Sequence, residues 1–258
     1  MIVAAAICPS PPLLVGELTG QGAVLPELRT ACAAAVARLL ASAPDVVAIV
    51  GPAEATGPRD PAGELSLASF APALRARGHR HAGRSSSDNS KRCDAVLPAA
   101  APALPLALGI GALLLDEAGY RGPRVLRGIA EDEPPAACLA LGRGIAASAP
   151  RVALLAVGDG TARRSASAPG YLDERAAPFD AAVERAVRDG DLPAIAALDP
   201  ALAADLLAAG RPAWQALAGA LAADYSGASS LETEILYSDA PLGVAYLVAI
   251  LMPQQGKW

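Results

Sequence analysis

Residues 151–164 read RVALLAVGDGTARR, and the passage from an apolar run into a glycine-flanked aspartate decides how the chain is built. Val152 to Val157 is rich in valine and leucine with no polar alternation, the pattern of a strand buried on both faces. Gly158 and Gly160 leave the backbone free to turn, so Asp159 stands at the strand's carboxyl end. Ligands collect at that edge in open α/β sheets. An aspartate in such a turn equally serves as a cap or a helix start.

The same pattern recurs on either side. Ile2 to Cys8 is an apolar run stopped by Pro9, Pro11 and Pro12, with Ser10 at the mouth of the stop. Leu25 to Ala41 carries apolar residues at helical spacing, with Pro26 in the tolerated first turn. Asp45 to Val50 is a second buried strand, ending at Gly51-Pro52 with Glu54 just beyond. Two parallel strands joined by one helix make a βαβ unit whose carboxyl ends face the same way.

Leu104 to Ala118 reads as an apolar helix in which Gly109 and Gly111 permit close approach to the sheet. Arg124 to Ile129 reads as a strand and Pro134 to Ala147 as a helix. After the glycine loop, Ser165 to Asp173 is irregular. Helices follow over 174–188, 192–198, 201–209 and 212–223. Glu232 to Tyr237 and Gly243 to Leu251 form two antiparallel strands about a turn at 238–242, and the tail MPQQGKW is loose. The expected fold is therefore a single α/β domain over residues 1–258: a mainly parallel mixed sheet, helices on both faces, and an antiparallel strand pair at the C-terminus. Between these parts, 66–70 is a candidate strand and 80–92 a polar loop. His79 and His81 sit at the edge of that loop as an HxH pair able to bind a metal, or simply exposed.

Composition excludes several classes. A net charge of −5 argues against a nucleic-acid surface. No uncharged apolar run reaches membrane length, and the N-terminus has no basic region of a signal peptide, so a soluble cytoplasmic protein is expected. Cys8, Cys32, Cys93 and Cys138 lack metal-type spacing and read as reduced thiols. With only 3% aromatics, the core is built from Ala, Val and Leu.

Five segments, VAAAICPSPPLL, AIVGPAE, AVGDGTARR, APGYLD and DAPLGVAYLVA, in this order and spacing, resemble the class III extradiol ring-cleavage dioxygenases: the catalytic B-subunit type with its MEMO-like relatives, in particular an actinobacterial branch. The resemblance spans residues 2 to about 251. It implies a site at the strand ends where two histidines and a glutamate hold non-haem Fe(II), with a further histidine handling protons. At the corresponding positions this chain has Ser10, then Glu54, then Thr161-Ala162-Arg163 for the proton-handling histidine, with Glu232 or Glu234 for the closing glutamate. None of the histidines is present.

Serine and carboxylates shift metal preference from iron toward harder ions such as Mg²⁺ or Mn²⁺. The expected function is therefore a dioxygenase-like protein with a degenerate iron site, acting as a small-molecule-binding or regulatory homologue, with a homodimer possible. The alternative is a metal-dependent enzyme in which Glu54, Asp159 and Glu232 or Glu234 converge. A third option has His79 or His81 reaching the site. The candidate residues are Asp159 and Arg163 for catalysis, Ser10, Thr161 and Tyr171 for substrate binding, and Glu54 and Glu232 for metal. Arg163 and Arg164 either grip an anionic substrate or pair at the surface with Asp173 and Glu174.

Overall fold

Strand β1 (Ile2–Cys8) is buried along nearly its whole length, as an unalternating apolar run requires. The computed structural model describes residues 1–19, 24–66, 102–224 and 231–253. The other main strands are β2 (Val46–Ala53), β3 (Gly57–Arg59), β6 (Arg124–Ala130), β7 (Val152–Val157), β8 (Leu231–Asp239) and β9 (Tyr246–Pro253). Among the described residues these make one seven-stranded sheet in the order β3-β6-β2-β7-β1-β9-β8. Two further strands, β4 (Glu64–Leu65) and β5 (Ala103–Leu104), pair separately.

β7 lies between β2 and β1, parallel to both, with all six residues buried. β6 extends the parallel block, while β9 runs antiparallel to β1 and β8 antiparallel to β9. The C-terminal antiparallel pair and the mixed, mainly parallel sheet thus stand as the sequence predicts.

The pleat sends alternate residues to opposite faces. Ala4, Ala6, Cys8, Ala153, Leu155 and Val157 meet α2 (Pro26–Ala41) and α3 (Leu106–Glu117). Ile2, Ala5, Ile7, Val152, Leu154 and Ala156 face the layer of α4 (Pro135–Ala146), α5 (Ala176–Arg188), α6 (Leu192–Ala196), α7 (Pro200–Asp205) and α8 (Arg211–Asp224). A short α1 (Gly16–Thr19) follows the proline stop of β1. Small residues let these layers close up. A Cβ on Gly111 would sit 2.6 Å from Ile49 Cγ2 of β2, and one on Gly142 of α4 would sit 1.9 Å from the Ala216 carbonyl oxygen of α8.

Several boundaries differ from expectation. β2 does not stop at Gly51-Pro52 but runs on to Ala53 beside β6, and β7 no longer flanks it there, so Pro52 interrupts no ladder on that side. The next residues return as β3, antiparallel to β6 at the sheet's edge. Met252 and Pro253 belong to β9 rather than to a loose tail. His79, His81, Cys93, the polar loop and nearly all of the 66–70 strand lie outside the described residues. Cys8, Cys32 and Cys138 are buried free thiols, and no described helix is long and apolar enough to cross a membrane.

Candidate functional site

The end of β7 is fixed from both sides. Gly158 N–H donates to Cys8 O at 2.9 Å and Gly160 N–H to Ala245 O at 2.8 Å. Ala245 N–H donates back to Thr161 O at 2.8 Å. The two glycines are needed for room rather than for turning, because neither has a positive φ. A Cβ on Gly158 would lie 2.6 Å from Gly210 Cα, and one on Gly160 would lie 2.8 Å from Ala245 Cβ.

Between them Asp159 turns toward the proline stop of β1. Its Oδ1 accepts the Ser10 backbone N–H at 2.6 Å and lies 3.5 Å from Ser10 Oγ. Ser10 is buried, while Asp159 keeps part of its side chain accessible. Desolvation pushes the Asp159 carboxyl up to about 6, against the opposing pull of the two Ser10 donors. Burial raises the Tyr246 phenol at the start of β9, and the Asp159 charge adds to that rise.

Thr161, expected at a substrate, is fully buried and turned to Asp180. Its N–H and Oγ1 donate to the two carboxylate oxygens of Asp180 at 3.0 and 2.6 Å. Arg164 completes the knot with an ion pair to Asp180 at 3.0 Å. The surface pairing of Arg163 and Arg164 with Asp173 and Glu174 is not what forms. Arg163 donates to Gly170 O at 2.6 Å, and Asp173 pairs with Arg175 instead. Arg163 therefore braces the 163–173 loop, and its buried Nε has no partner among the described residues. Tyr171 is 75% exposed and is not among the residues of the cleft described next.

Beside this knot a cleft of about 190 Å³ opens between α5 and the β8–β9 turn. Its polar lining is Arg164, Asp180, Glu184, Ser238 and Asp239, and its aromatic lining is Trp214 and Tyr246. Ser238 Oγ donates to Glu184 at 2.7 Å, which lowers the Glu184 pKa. Trp214 is 1% exposed and its Nε1–H has no acceptor among the described residues. Sequence reasoning did not single out Asp180, Glu184 or Trp214. The usable signal was an aspartate and a glutamate four apart on α5, either side of the buried Val183.

The carboxylates expected to join Asp159 do not. Glu54 is exposed on the link that carries the chain out from β2 to the edge strand β3, away from β7 and β1. Glu232 is exposed and paired with Met252, six residues along β9 from Tyr246, or roughly 20 Å at the rise of a strand. Glu234 forms an ion pair with Arg38 of α2. β8 runs parallel to β1, so its first residues lie at the sheet edge opposite to Ser10 and Asp159. No group of three His, Cys, Asp or Glu side chains able to hold a metal occurs among the described residues. These residues do not fit the iron centre that the resemblance implies.

The comparisons with known proteins bear on the fold. No family model matches the chain, and no curated protein does. The crystal structure of the uncharacterized protein JW3007 from Escherichia coli K12 is similar at a TM-score of 0.53 and 15% identity, over 97% of this chain and 99% of that one. At that identity the likeness is one of fold, and it extends over both chains from end to end.

Proposed function

We propose that this chain is a small-molecule-binding protein on a class III extradiol dioxygenase-like scaffold, in which the contact between Ser10 and Asp159 stands where that family carries an iron ligand. The observation behind this reading is the 2.6 Å bond from Ser10 N–H to Asp159. It ties the position of the first expected imidazole to a carboxylate at the sheet's carboxyl edge, where binding sites of open α/β sheets form. A partly accessible Asp159 and a cleft next to its loop support a ligand at this edge.

Anaerobic titration with Fe(II), followed by desalting and metal analysis, tests the reading. Retention far below one equivalent, with no cleavage of catechol by the Fe(II)-treated protein, is the expected result. One tightly held iron per chain would overturn it.

A second reading is favoured by the Asp159 carboxyl itself. A group pushed up to about 6 beside a serine hydroxyl exchanges its proton near neutral pH, as a general acid or base must. An enzyme working this way shows a rate with an apparent pKa near 6 that disappears in Asp159→Asn. The metal-dependent alternative draws no support from Glu54 or Glu232, which stand apart from Asp159.

A further inference from the structure

We propose that the rim formed by the 162–173 loop, the end of α7 and the β8–β9 turn is the face through which two copies of this chain associate. The inference goes beyond the ligand reading and does not depend on it.

Four of the six large apolar residues that stand exposed among the described residues meet on this rim: Tyr171, Leu172, Leu207 and Leu242, each between 45% and 75% exposed. Hydrogen bonds draw their segments together. Ala162 N–H donates to Leu206 O at 3.1 Å, Arg164 N–H to Gly243 O at 3.0 Å and Tyr171 N–H to Ala168 O at 3.0 Å. A Cβ on Gly170 would lie 2.7 Å from Leu207 Cδ1, and one on Gly243 would lie 2.6 Å from Ala168 Cβ. A contiguous apolar patch ringed by charge marks an interaction face.

The backbone adds a second, independent observation. Tyr171 and Leu207, two of the four described non-glycine residues with positive φ, have values of +60° and +56°, the left-handed region that favours glycine. Leu207 follows α7, where Ala208 N–H closes back to Ala203 O at 2.8 Å. The same closure follows α3 and α5, and there the left-handed residue is Gly119 or Gly190. At Tyr171 and Leu207 a large apolar side chain is thus kept against both backbone preference and solvent exposure. Burial against a partner offsets both costs.

The charges around the patch fit a second copy. Arg163 and Arg175 stand against Asp173, Glu174 and Asp205, with Arg175 paired to Asp173 and Asp205 at once. A nucleic acid or an anionic membrane requires a basic face. A nearly balanced face is complementary to itself, because a twofold axis sets apolar against apolar and lets Arg175 reach the carboxylates of a second copy.

Sedimentation velocity of the full chain over a concentration series tests the proposal. A reversible dimer is expected, with a dissociation constant on the order of micromolar, as a small apolar interface allows. Tyr171→Gly and Leu172→Ser should each weaken association roughly tenfold, the loss on truncating an anchor at the centre of an interface. Tyr171→Gly should leave the melting temperature of the monomer unchanged or raise it, because glycine suits a φ of +60°. Glu232→Gln, at the opposite edge of the sheet, should leave association unchanged. A chain that stays monomeric at roughly a hundred times the micromolar range overturns the proposal and hands the patch to a different partner. Variants that dimerise like the parent overturn it as well. So does a Tyr171→Gly monomer that melts lower than the parent, since the side chain would then serve the fold alone. None of these outcomes bears on iron retention, so failure here is separable from failure of the ligand reading.

Discussion

Asp159 is held in place at a cost that its neighbours only partly offset. Its carboxyl takes up a proton at about 6 in the folded chain against 3.8 for the free side chain. Between these values the folded state binds more protons than the unfolded state, so stability falls as pH rises from about 4 to about 6 and is level above that. Asp159→Asn keeps a carbonyl oxygen for the Ser10 N–H and removes the buried charge. Thermal unfolding at pH 7 should show the variant more stable by roughly 1–3 kcal/mol, the lower part of the range reflecting the accessible part of the side chain. At pH 4 the difference should vanish; a variant that is less stable at pH 7 would contradict this account. The meeting of Ser10 with Asp159 was legible in the sequence because each directly follows a buried parallel strand, and such strands end at one edge. The meeting of Thr161 with Asp180 was not. The four-residue spacing of Asp180 and Glu184 puts both on one side of α5, but it does not say that this side meets a buried threonine rather than water.

At the scale of elements, α4 and α8 illustrate how a core almost without aromatic rings is made dense. Their backbones touch where Gly142 faces Ala216 and Gly219 faces Leu139. Gly144, two residues along α4, has nothing among the described residues beyond its own helix backbone within 4 Å of where a Cβ would stand. The pair makes a controlled comparison. Gly142→Ala drives a methyl group into a backbone carbonyl and should destabilise by roughly 2–4 kcal/mol in urea denaturation. Gly144→Ala should stabilise by about 0.5–1 kcal/mol, because alanine loses less backbone freedom in a helix interior. Equal effects at both sites would refute backbone contact between the helices. The long elements were readable because unalternating apolar runs and 3.6-residue spacing are strong signals. β3, β4 and β5 were not, since two or three residues carry no period and Pro58 argues against a strand. The same limit misplaced Glu232: its strand was recognisable, but its direction within the sheet depends on pairing with β9, and that direction puts it at the far edge.

For the molecule as a whole, the five helices on the α8 side lie in segments from 135 to 224, and a polar hub inside the apolar layer ties three of them, α4, α6 and α8. Arg211 is 1% exposed, yet none of its hydrogen-bond partners is a carboxylate. Its guanidinium donates to Glu133 O at 2.7 Å, to Gln215 Oε1 at 2.9 Å and to Glu131 O. Gln215 then donates to Ala196 O and Leu198 O, each at 3.0 Å. The approach to α4, the end of α6 and the start of α8 are thereby tied through two side chains. A buried cation that meets carbonyl dipoles and the Cys138 sulfur but no carboxylate retains a large desolvation penalty, so its worth lies in the acceptors it satisfies together. Arg211→Met fills similar volume and removes the charge, but leaves two backbone carbonyls and Gln215 Oε1 without that donor. The net loss should be about 2–4 kcal/mol, since ending the burial of a cation offsets part of the cost of the orphaned acceptors. Arg211→Lys should recover little, because one ammonium cannot span the fork geometry that reaches residues 131, 133 and 215 at once. Urea unfolding decides the matter: a methionine variant as stable as the parent would mean that the helical layer is held by apolar packing alone. A lysine variant restored to full stability would mean that charge, and not the planar fork, joins the three segments.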